Sequence, residues 1–220
     1  IDSVTYLERI FDVLEEPLVI ENKKDAVKLD IKGQVKFENV HFGYGDHEVL
    51  SNVSFEIKPG ENIAIVGETG AGKSTLISLI ARYYDVKKGK ILIDGVDIRD
   101  IDLHCLRSQV NVMSQDNYVY SRSIFDNIAY GRDNISLEEV INICKVMGIH
   151  DWISSLTNGY DTILHNNGKD VSTGQRQLMC FARTILADPK ILILDEATSN
   201  VDLRTEKQIQ KATKLLLENR

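Results

Sequence analysis

The most restrictive feature of the sequence is a glycine-rich run at residues 67–74, which matches the phosphate-binding pattern G-x-x-x-x-G-K-[ST]. An apolar run at residues 63–66 precedes it and predicts a strand, and residues 74–84 follow with apolar side chains at helical spacing. Glycines let the backbone curl so that successive N–H groups face phosphate oxygens, and a helix beginning there adds its positive dipole end. The order strand, loop, helix is the start of an α/β core.

The residue types in this run point to the phosphates of a nucleoside triphosphate. We expect Lys73 to bridge the β- and γ-phosphates and the Ser74 hydroxyl to ligate Mg²⁺. The residues expected to contact the phosphates are Gly67, Glu68, Thr69, Gly70, Ala71, Gly72, Lys73, Ser74 and Thr75. The alternative interpretation is a glycine-rich turn with a surface lysine, which the strand before it and the helix after it disfavour.

A second motif is an apolar run at residues 191–194 that ends in two carboxylates. Four consecutive apolar residues predict a central strand buried on both faces. Ligands of open α/β sheets bind at the carboxyl ends of strands, so Asp195 is expected to hold Mg²⁺ and Glu196 to polarise a water that attacks the γ-phosphate. Without the phosphate loop, this pair would read as a solvated strand end.

A third motif lies at residues 171–177 and predicts the start of a helix that continues to residue 187. Ser172 is a suitable N-cap, and Gly174 leaves the backbone open to a close ligand. A plain helix cap is the alternative to a ligand-binding role.

Together these motifs resemble the nucleotide-binding domain of ABC transporters. Ser172, Gly174 and Gln175 match the signature motif L-S-G-G-Q of that family. Tyr44 stands where the family has an aromatic residue that stacks on adenine, and Gln115 matches the glutamine that contacts Mg²⁺. Residues 199–202 resemble the D-loop, and the likeness covers residues 35–220 in the family's order.

The resemblance implies an α/β fold: a P-loop NTPase core with a mixed sheet, a small antiparallel β part and a helical subdomain at about residues 116–170. It implies an ATPase with ATP and Mg²⁺ as cofactors. Glu196, Lys73 and Gln115 would be catalytic, and Ser74, Gln115 and Asp195 would hold the metal. Two such domains, identical or not, would pair head to tail, each ATP lying between one subunit's phosphate loop and the other's signature segment.

The start of the chain resembles exporters that carry permease and ATPase on one polypeptide. Residues 1–16 predict a helix extending from a transmembrane domain, residues 17–34 a linker, and residues 35–220 the ATPase domain. Residues 123–128 are similar to the exporter segment that faces the coupling helices of the membrane part. The expected location is the cytoplasmic face of the cell membrane. The alternative for residues 1–16 is an amphipathic helix packed on its own domain.

Three departures from the family pattern bear on activity. Thr173 replaces the first signature glycine and would be strained if the backbone needed a positive φ there. His165 and Asn166 stand where many exporters have Gly-Glu, and all five histidines precede Glu196, whereas the family places one beyond the D-loop. We therefore expect the chain to be truncated at its C-terminal end. An ATP-binding and dimerisation module with little hydrolysis is the alternative function.

Charge, the lack of heptad repeats, and the cysteine and histidine spacing argue against a nucleic-acid binder, a coiled-coil ATPase and a metal-binding motif, respectively. The formal charge of −7 argues against a nucleic-acid partner, because phosphate contacts need clustered lysine and arginine. A DNA-repair or chromosome ATPase of the same superfamily would carry long coiled coils between the phosphate loop and the signature, and that interval has no sustained heptads. Three cysteines and five histidines form no metal-binding pattern.

Overall fold

The computed structural model describes residues 6–11, 15, 19–113, 118–132, 134–165, 168, 170–195, 206–210 and 214. The strands are β1 (Val35–Tyr44), β2 (His47–Ile57), β3 (Lys88–Ile93), β4 (Val96–Asp97), β5 (Val110–Met113) and β6 (Ile191–Leu194). The helices are α1 (Lys73–Ile80), α2 (Leu103–Gln109), α3 (Ile124–Ile128), α4 (Leu137–Met147), α5 (His150–Ser155) and α6 (Thr173–Ala187). Residues 6–11 and 206–210 are helical as well. Within the described ranges, no helix is both long and apolar enough to cross a bilayer.

The small antiparallel β part predicted from the sequence is a sheet of four strands in the order β2-β1-β3-β4. The long hairpin β1–β2 forms because alternating apolar residues fall on one face. On that face Phe37 and Phe55 are directly paired, and their rings stack with centroids 4.5 Å apart. Leu79 and Ile80 of α1 are buried in the same hydrophobic cluster, so the sheet packs against the helix that follows the phosphate loop.

Strands β5 and β6 form a parallel pair that lies between two hydrophobic clusters. Ile191 and Ile193 of β6 pack against the cluster that contains the antiparallel sheet and α1. Leu192 and Leu194 pack against the cluster formed by the helical part. Both faces of β6 therefore contact apolar side chains, as the sequence predicts. All four residues are half-buried, so β6 is less deeply buried than the predicted central strand would be.

The helical subdomain predicted at about residues 116–170 contains α3, α4 and α5. Helix α4 begins with a capping box, whose S-x-x-E pattern stands at residues 136–139 of the sequence: Ser136 Oγ accepts the Glu139 N–H, and the Glu139 carboxylate accepts the Ser136 N–H. Val140, Cys144 and Met147 of α4 are buried at helical spacing. They join a cluster that also includes α6, so the signature helix packs against the helical part.

The apolar run at residues 63–66 is not a strand in this structure, contrary to the prediction. Ile63 and Ile65 are 52% and 41% exposed, and Val66 is 88% exposed. An apolar pattern favours a sheet, but a strand exists only where a neighbouring chain segment exchanges backbone hydrogen bonds with it. Among the described residues, β6 is hydrogen-bonded to β5 alone, and the run lies outside that ladder.

The predicted linker includes a segment, residues 21–31, that we call the strap because it is fastened along α2. The Val27 N–H donates to the Asp100 carbonyl at 2.8 Å, and the Asp102 N–H donates to the Val27 carbonyl at 2.9 Å. Farther along, the Ile31 N–H donates to Gln109 Oε1 at 2.9 Å, and Ile31 is buried. The strap has almost no regular structure of its own, but hydrogen bonds hold it to residues 100–109 along its length.

Candidate functional site

The glycine-rich run forms a loop held together by the lysine at its end. The Lys73 ammonium donates to the carbonyl oxygens of Gly67, at 2.8 Å, and Glu68, at 2.9 Å. The Ala71 N–H closes a turn onto the Glu68 carbonyl at 3.1 Å. Lys73 therefore lies across the mouth of the loop, and its third N–H donor remains for a ligand oxygen.

Helix α1 begins at this loop with an N-terminus suited to an anion. Gly72 is the N-cap, and no side chain accepts a hydrogen bond from the first turn. The first N–H groups of a helix have no intrahelical acceptor, and they carry the positive end of the helix dipole. Ser74 is exposed at this end and Thr75 is buried, so Ser74 is accessible to a ligand whereas Thr75 packs into the domain.

Gly72 is where the loop touches the β-hairpin. Its φ is 88°, in the left-handed region. A Cβ atom at this position would lie 2.8 Å from Leu50 Cδ2 and 3.2 Å from Val49 Cγ1. The second invariant glycine of the motif is thus required both by its backbone conformation and by the close approach of β2.

The candidate adenine-stacking residue, Tyr44, belongs to an exposed aromatic group at the end of the same hairpin. Tyr44 is 44% exposed and meets Phe42 edge to face, with centroids 5.2 Å apart. Tyr84, which follows α1, meets the Tyr44 ring edge to face at 5.3 Å. Tyr84 was not identified from the sequence, because no local pattern relates it to a residue 40 positions earlier.

The carboxylate predicted to hold a metal follows the parallel pair of strands. The half-buried Asp195 comes directly after β6, and its N–H donates to the Met113 carbonyl at 2.9 Å. Met113 ends β5 and is the register partner of Leu194 at the end of β6, so both strands end at the same edge of the sheet. Gln115 and Glu196 lie outside the described residues. The D-loop at residues 199–202 lies outside them as well.

The signature segment begins α6 as predicted, and Ser172 is its N-cap. Ser172 Oγ accepts the Gln175 N–H at 3.2 Å, and Gln175 Oε1 accepts the Ser172 N–H at 2.9 Å. A hydroxyl that accepts one hydrogen bond still has its own O–H to donate, so Ser172 can also bind an anion. Gly174 is buried in the first turn.

Thr173 is accommodated without the strain considered from the sequence. It is the first residue of α6, and it is not among the described residues with positive φ. Its hydroxyl accepts a hydrogen bond from Arg176 Nη2 at 3.0 Å. The same guanidinium donates to the Gly168 and Val171 carbonyls at 2.9 and 3.0 Å, which fixes the approach to the helix.

The site residues fall into two groups. Helix α1, which follows the phosphate loop, and the hairpin that carries Tyr44 pack in one hydrophobic cluster. Helix α6, which carries Ser172, Gly174 and Gln175, packs in the other. In the described part of the chain, no three His, Cys, Asp or Glu side chains gather as a metal site. A hydroxyl, an amide and one carboxylate form the expected set instead, and these oxygen donors suit Mg²⁺, which takes few protein ligands beside phosphate and water.

Comparison with known proteins assigns these features to one family. The family model described as "ABC transporter" matches residues 50–199. The ABC transporter ATP-binding protein YknV of Bacillus subtilis is 45% identical over 215 residues, which are 97% of this chain and 36% of that protein. A fatty acid ABC transporter ATP-binding/permease protein of Mycobacterium tuberculosis is 42% identical over 220 residues, 99% of this chain and 34% of that protein.

Structural comparison agrees with the family model. A solved bacterial Atm1-family ABC exporter with ATP bound superposes with a TM-score of 0.89 at 38% sequence identity, covering 100% of this chain and 39% of that one. The chain thus spans little more than a third of the relatives it matches, and its mixed α/β fold is that of their nucleotide-binding domains. The chain belongs to the ABC transporter family.

Proposed function

We propose that this chain binds and hydrolyses Mg-ATP and that it powers export in a longer membrane protein. The observation that carries the proposal is the loop at residues 67–74, whose lysine, helix N-terminus and exposed serine converge at one place. The likeness to an ATP-binding/permease protein and to an ATP-bound exporter supports ATP as the nucleotide and export as the process.

The loop binds the triphosphate through charge and backbone donors. Lys73 neutralises the β- and γ-phosphates, and the backbone N–H groups of Gly70, Gly72, Lys73 and Ser74 donate to their oxygens. On binding, the third N–H donor of the Lys73 ammonium takes a phosphate oxygen, a charge-assisted bond stronger than those to the two loop carbonyls. Tyr44, exposed at the end of the hairpin that touches Gly72, stacks on the adenine ring.

Hydrolysis needs a metal-held phosphate and an activated water. Ser74, Gln115 and Asp195 would hold Mg²⁺, which neutralises the charge that develops on the transferred phosphoryl group. Glu196, the residue after Asp195, polarises the attacking water. The position of Asp195 supports this assignment, because its backbone N–H is bonded to the last residue of β5 at the edge where the parallel strands end.

A second nucleotide-binding domain would complete the site, with Ser172, Gly174 and Gln175 of one subunit facing the phosphate loop of the other. Two observations support head-to-tail pairing. The α6 N-terminus retains a hydroxyl donor and helix-dipole charge for an anion. It also packs in a different hydrophobic cluster from α1, which carries the phosphate loop.

The membrane part would meet the helical subdomain. A groove of about 460 Å³ lies beside α3, with apolar, aromatic and charged side chains on its walls. Its lining includes Phe125, Asp126, Tyr130 and Arg132, and α3 is within the segment that resembles the surface facing coupling helices. At the start of the chain Leu7, Ile10 and Phe11 are 53–55% exposed, which supports a helix that continues away from this domain. The domain would then lie at the cytoplasmic face of the cell membrane.

The proposal is tested by replacing Glu196 with glutamine in the longer protein and measuring phosphate release beside nucleotide affinity. Glu196→Gln should leave ATP binding intact and slow turnover by at least about a hundredfold, because a neutral amide cannot accept the water proton. Near-normal turnover would remove Glu196 from the mechanism. Tight binding with no phosphate release by the unmodified protein would favour a binding and dimerisation module instead.

A further inference from the structure

The turn that follows α1 contains a buried arginine in an unusual conformation. Arg82 is 2% exposed, and its φ of 50° is in the left-handed region, which residues with a Cβ adopt rarely. Its Nε donates to the Asp85 carboxylate at 3.0 Å, which neutralises the buried charge. Such a conformation persists only where surrounding contacts over-determine it, so the other contacts of Arg82 indicate what it is held for.

Those contacts reach the strap. Arg82 Nη2 donates to the Glu21 carbonyl at 3.1 Å, and Nη1 donates to the Ile101 carbonyl at 3.4 Å. Ile101 is itself bridged to Val27 of the strap. One guanidinium therefore joins the end of the phosphate-loop helix both to the strap and to the backbone on which the strap lies.

The same turn also contacts both parts of the candidate nucleotide site. Helix α1 runs from Lys73 to Ile80 and is about 12 Å long, so it connects the phosphate loop to Arg82 as a rigid rod. Two residues beyond Arg82, Tyr84 meets the ring of Tyr44. Any movement of the loop or the aromatic group on binding nucleotide thus reaches Arg82 through packed structure.

We propose that Arg82 is a positioning residue that couples nucleotide binding at the phosphate loop to docking of the strap at residues 21–31. The inference rests on the proposed function, because it requires a nucleotide at residues 67–74 and Tyr44. The strap leads back to the exposed helical residues 6–11, so its docking state passes the nucleotide signal toward the preceding part of the chain. This route is separate from the groove beside α3.

The cysteines supply a reporter of strap docking. Cys105 of α2 hydrogen-bonds the strap at Leu29: the Leu29 N–H donates to Cys105 Sγ at 3.3 Å, and the thiol donates to the Leu29 carbonyl at 3.2 Å. Cys144 and Cys180 are buried, with 0% and 8% exposure. Cys105 is partly exposed, so a thiol reagent reacts with it slowly while the strap is docked and faster when undocking frees the thiol from Leu29.

The experiment measures labelling of Cys105 by Ellman's reagent in the 220-residue chain, with and without saturating Mg²⁺ and a non-hydrolysable ATP analogue. Nucleotide should slow labelling at least about fivefold, the lower end of typical allosteric couplings. In Arg82→Gln, labelling should be fast and independent of nucleotide. Arg82→Lys should fold but restore the coupling poorly, since an ammonium lacks the fork that reaches Asp85 and Glu21 together. Arg99→Gln, which alters a local pair with Asp97, is the matched control and should behave as wild type.

A second variant keeps the test decisive if Arg82→Gln does not fold. Asn22 holds the outer side of the strap, since its side chain donates to Asp102 Oδ2 and accepts the Leu103 N–H, both at 2.7 Å. Coupling is reciprocal, so Asn22→Ala must both speed labelling and weaken binding of a fluorescent ATP analogue.

The outcomes are distinguishable. If the analogue does not bind to the wild type, the proposed function fails, and the coupling with it. If it binds but labelling of Cys105 is unchanged, or if Asn22→Ala leaves affinity unchanged, the coupling alone is overturned.

Discussion

Two constraints favour glycine at position 72, the left-handed backbone and the lack of room for a Cβ atom, and alanine substitutions at positions 72 and 70 separate them. The left-handed φ of 88° costs an L residue about 1–2 kcal/mol. The new Cβ would also lie 2.8 Å from Leu50 Cδ2 and 3.2 Å from Val49 Cγ1, and overpacking of this kind costs about 1–3 kcal/mol more. Gly70→Ala is the matched control, because Gly70 has a φ of 86° but a Cβ there meets nothing within 4 Å.

Urea unfolding of both variants measures the two costs. Gly70→Ala should lower the free energy of unfolding by the backbone cost alone, whereas Gly72→Ala should lower it by about 2–5 kcal/mol. Because the Leu50 and Val49 side chains must shift to admit the new Cβ beside the loop, Gly72→Ala should also weaken binding of a fluorescent ATP analogue. Equal destabilisation by the two substitutions would refute the close approach of Leu50 and Val49 as a constraint on the loop.

Three further predictions concern single side chains. Lys73→Met should weaken binding of an ATP analogue about tenfold to a hundredfold in a fluorescence titration, since hydrogen bonds to charged groups contribute about 1.5–3 kcal/mol. Lys145→Met, at an exposed position of α4, should leave the affinity unchanged. Ser172→Ala should lower the free energy of unfolding by about 0.5–2 kcal/mol, whereas Ser172→Thr should lower it much less because the capping hydroxyl remains. Equal losses of the two variants in a urea melt would exclude capping as the cause. Burial raises the pKa of the Cys144 thiol to about 11, so only about 0.1% of this thiol is thiolate at pH 8. Mass spectrometry after brief alkylation should therefore find Cys105 modified well before Cys144, and comparable rates would show that Cys144 is not buried.

Local patterns in the sequence predicted the features that depend on neighbouring residues. The helix starts at Ser136 and Ser172 were both identifiable, because a capping hydroxyl and its Glu or Gln partner lie three residues apart. The loop at residues 67–74 was identifiable for the same reason: glycines, lysine and serine act together within a single turn.

Features that depend on distant residues could not be predicted. The strap reads as a charged linker because its hydrogen-bond partners, such as Asp100 and Gln109, lie more than 70 positions away. Residues 63–66 show the opposite error. Their apolar pattern predicts a strand, but a strand forms only where a neighbouring segment supplies backbone hydrogen bonds, and that segment cannot be read from the local pattern. The role of Arg82 was hidden as well, since a buried arginine and a surface arginine look alike in a sequence.

The position of the β5–β6 pair has a consequence for how the domain unfolds. Its residues alternate between two hydrophobic clusters, so neither cluster can lose its packing without exposing one face of the same two strands. Two hydrophobic clusters that pack on opposite faces of the same strand pair unfold cooperatively, whereas clusters joined only by a flexible connection unfold separately. We therefore expect a single calorimetric transition for the whole domain, with the helical part and the nucleotide-binding part losing structure at the same temperature.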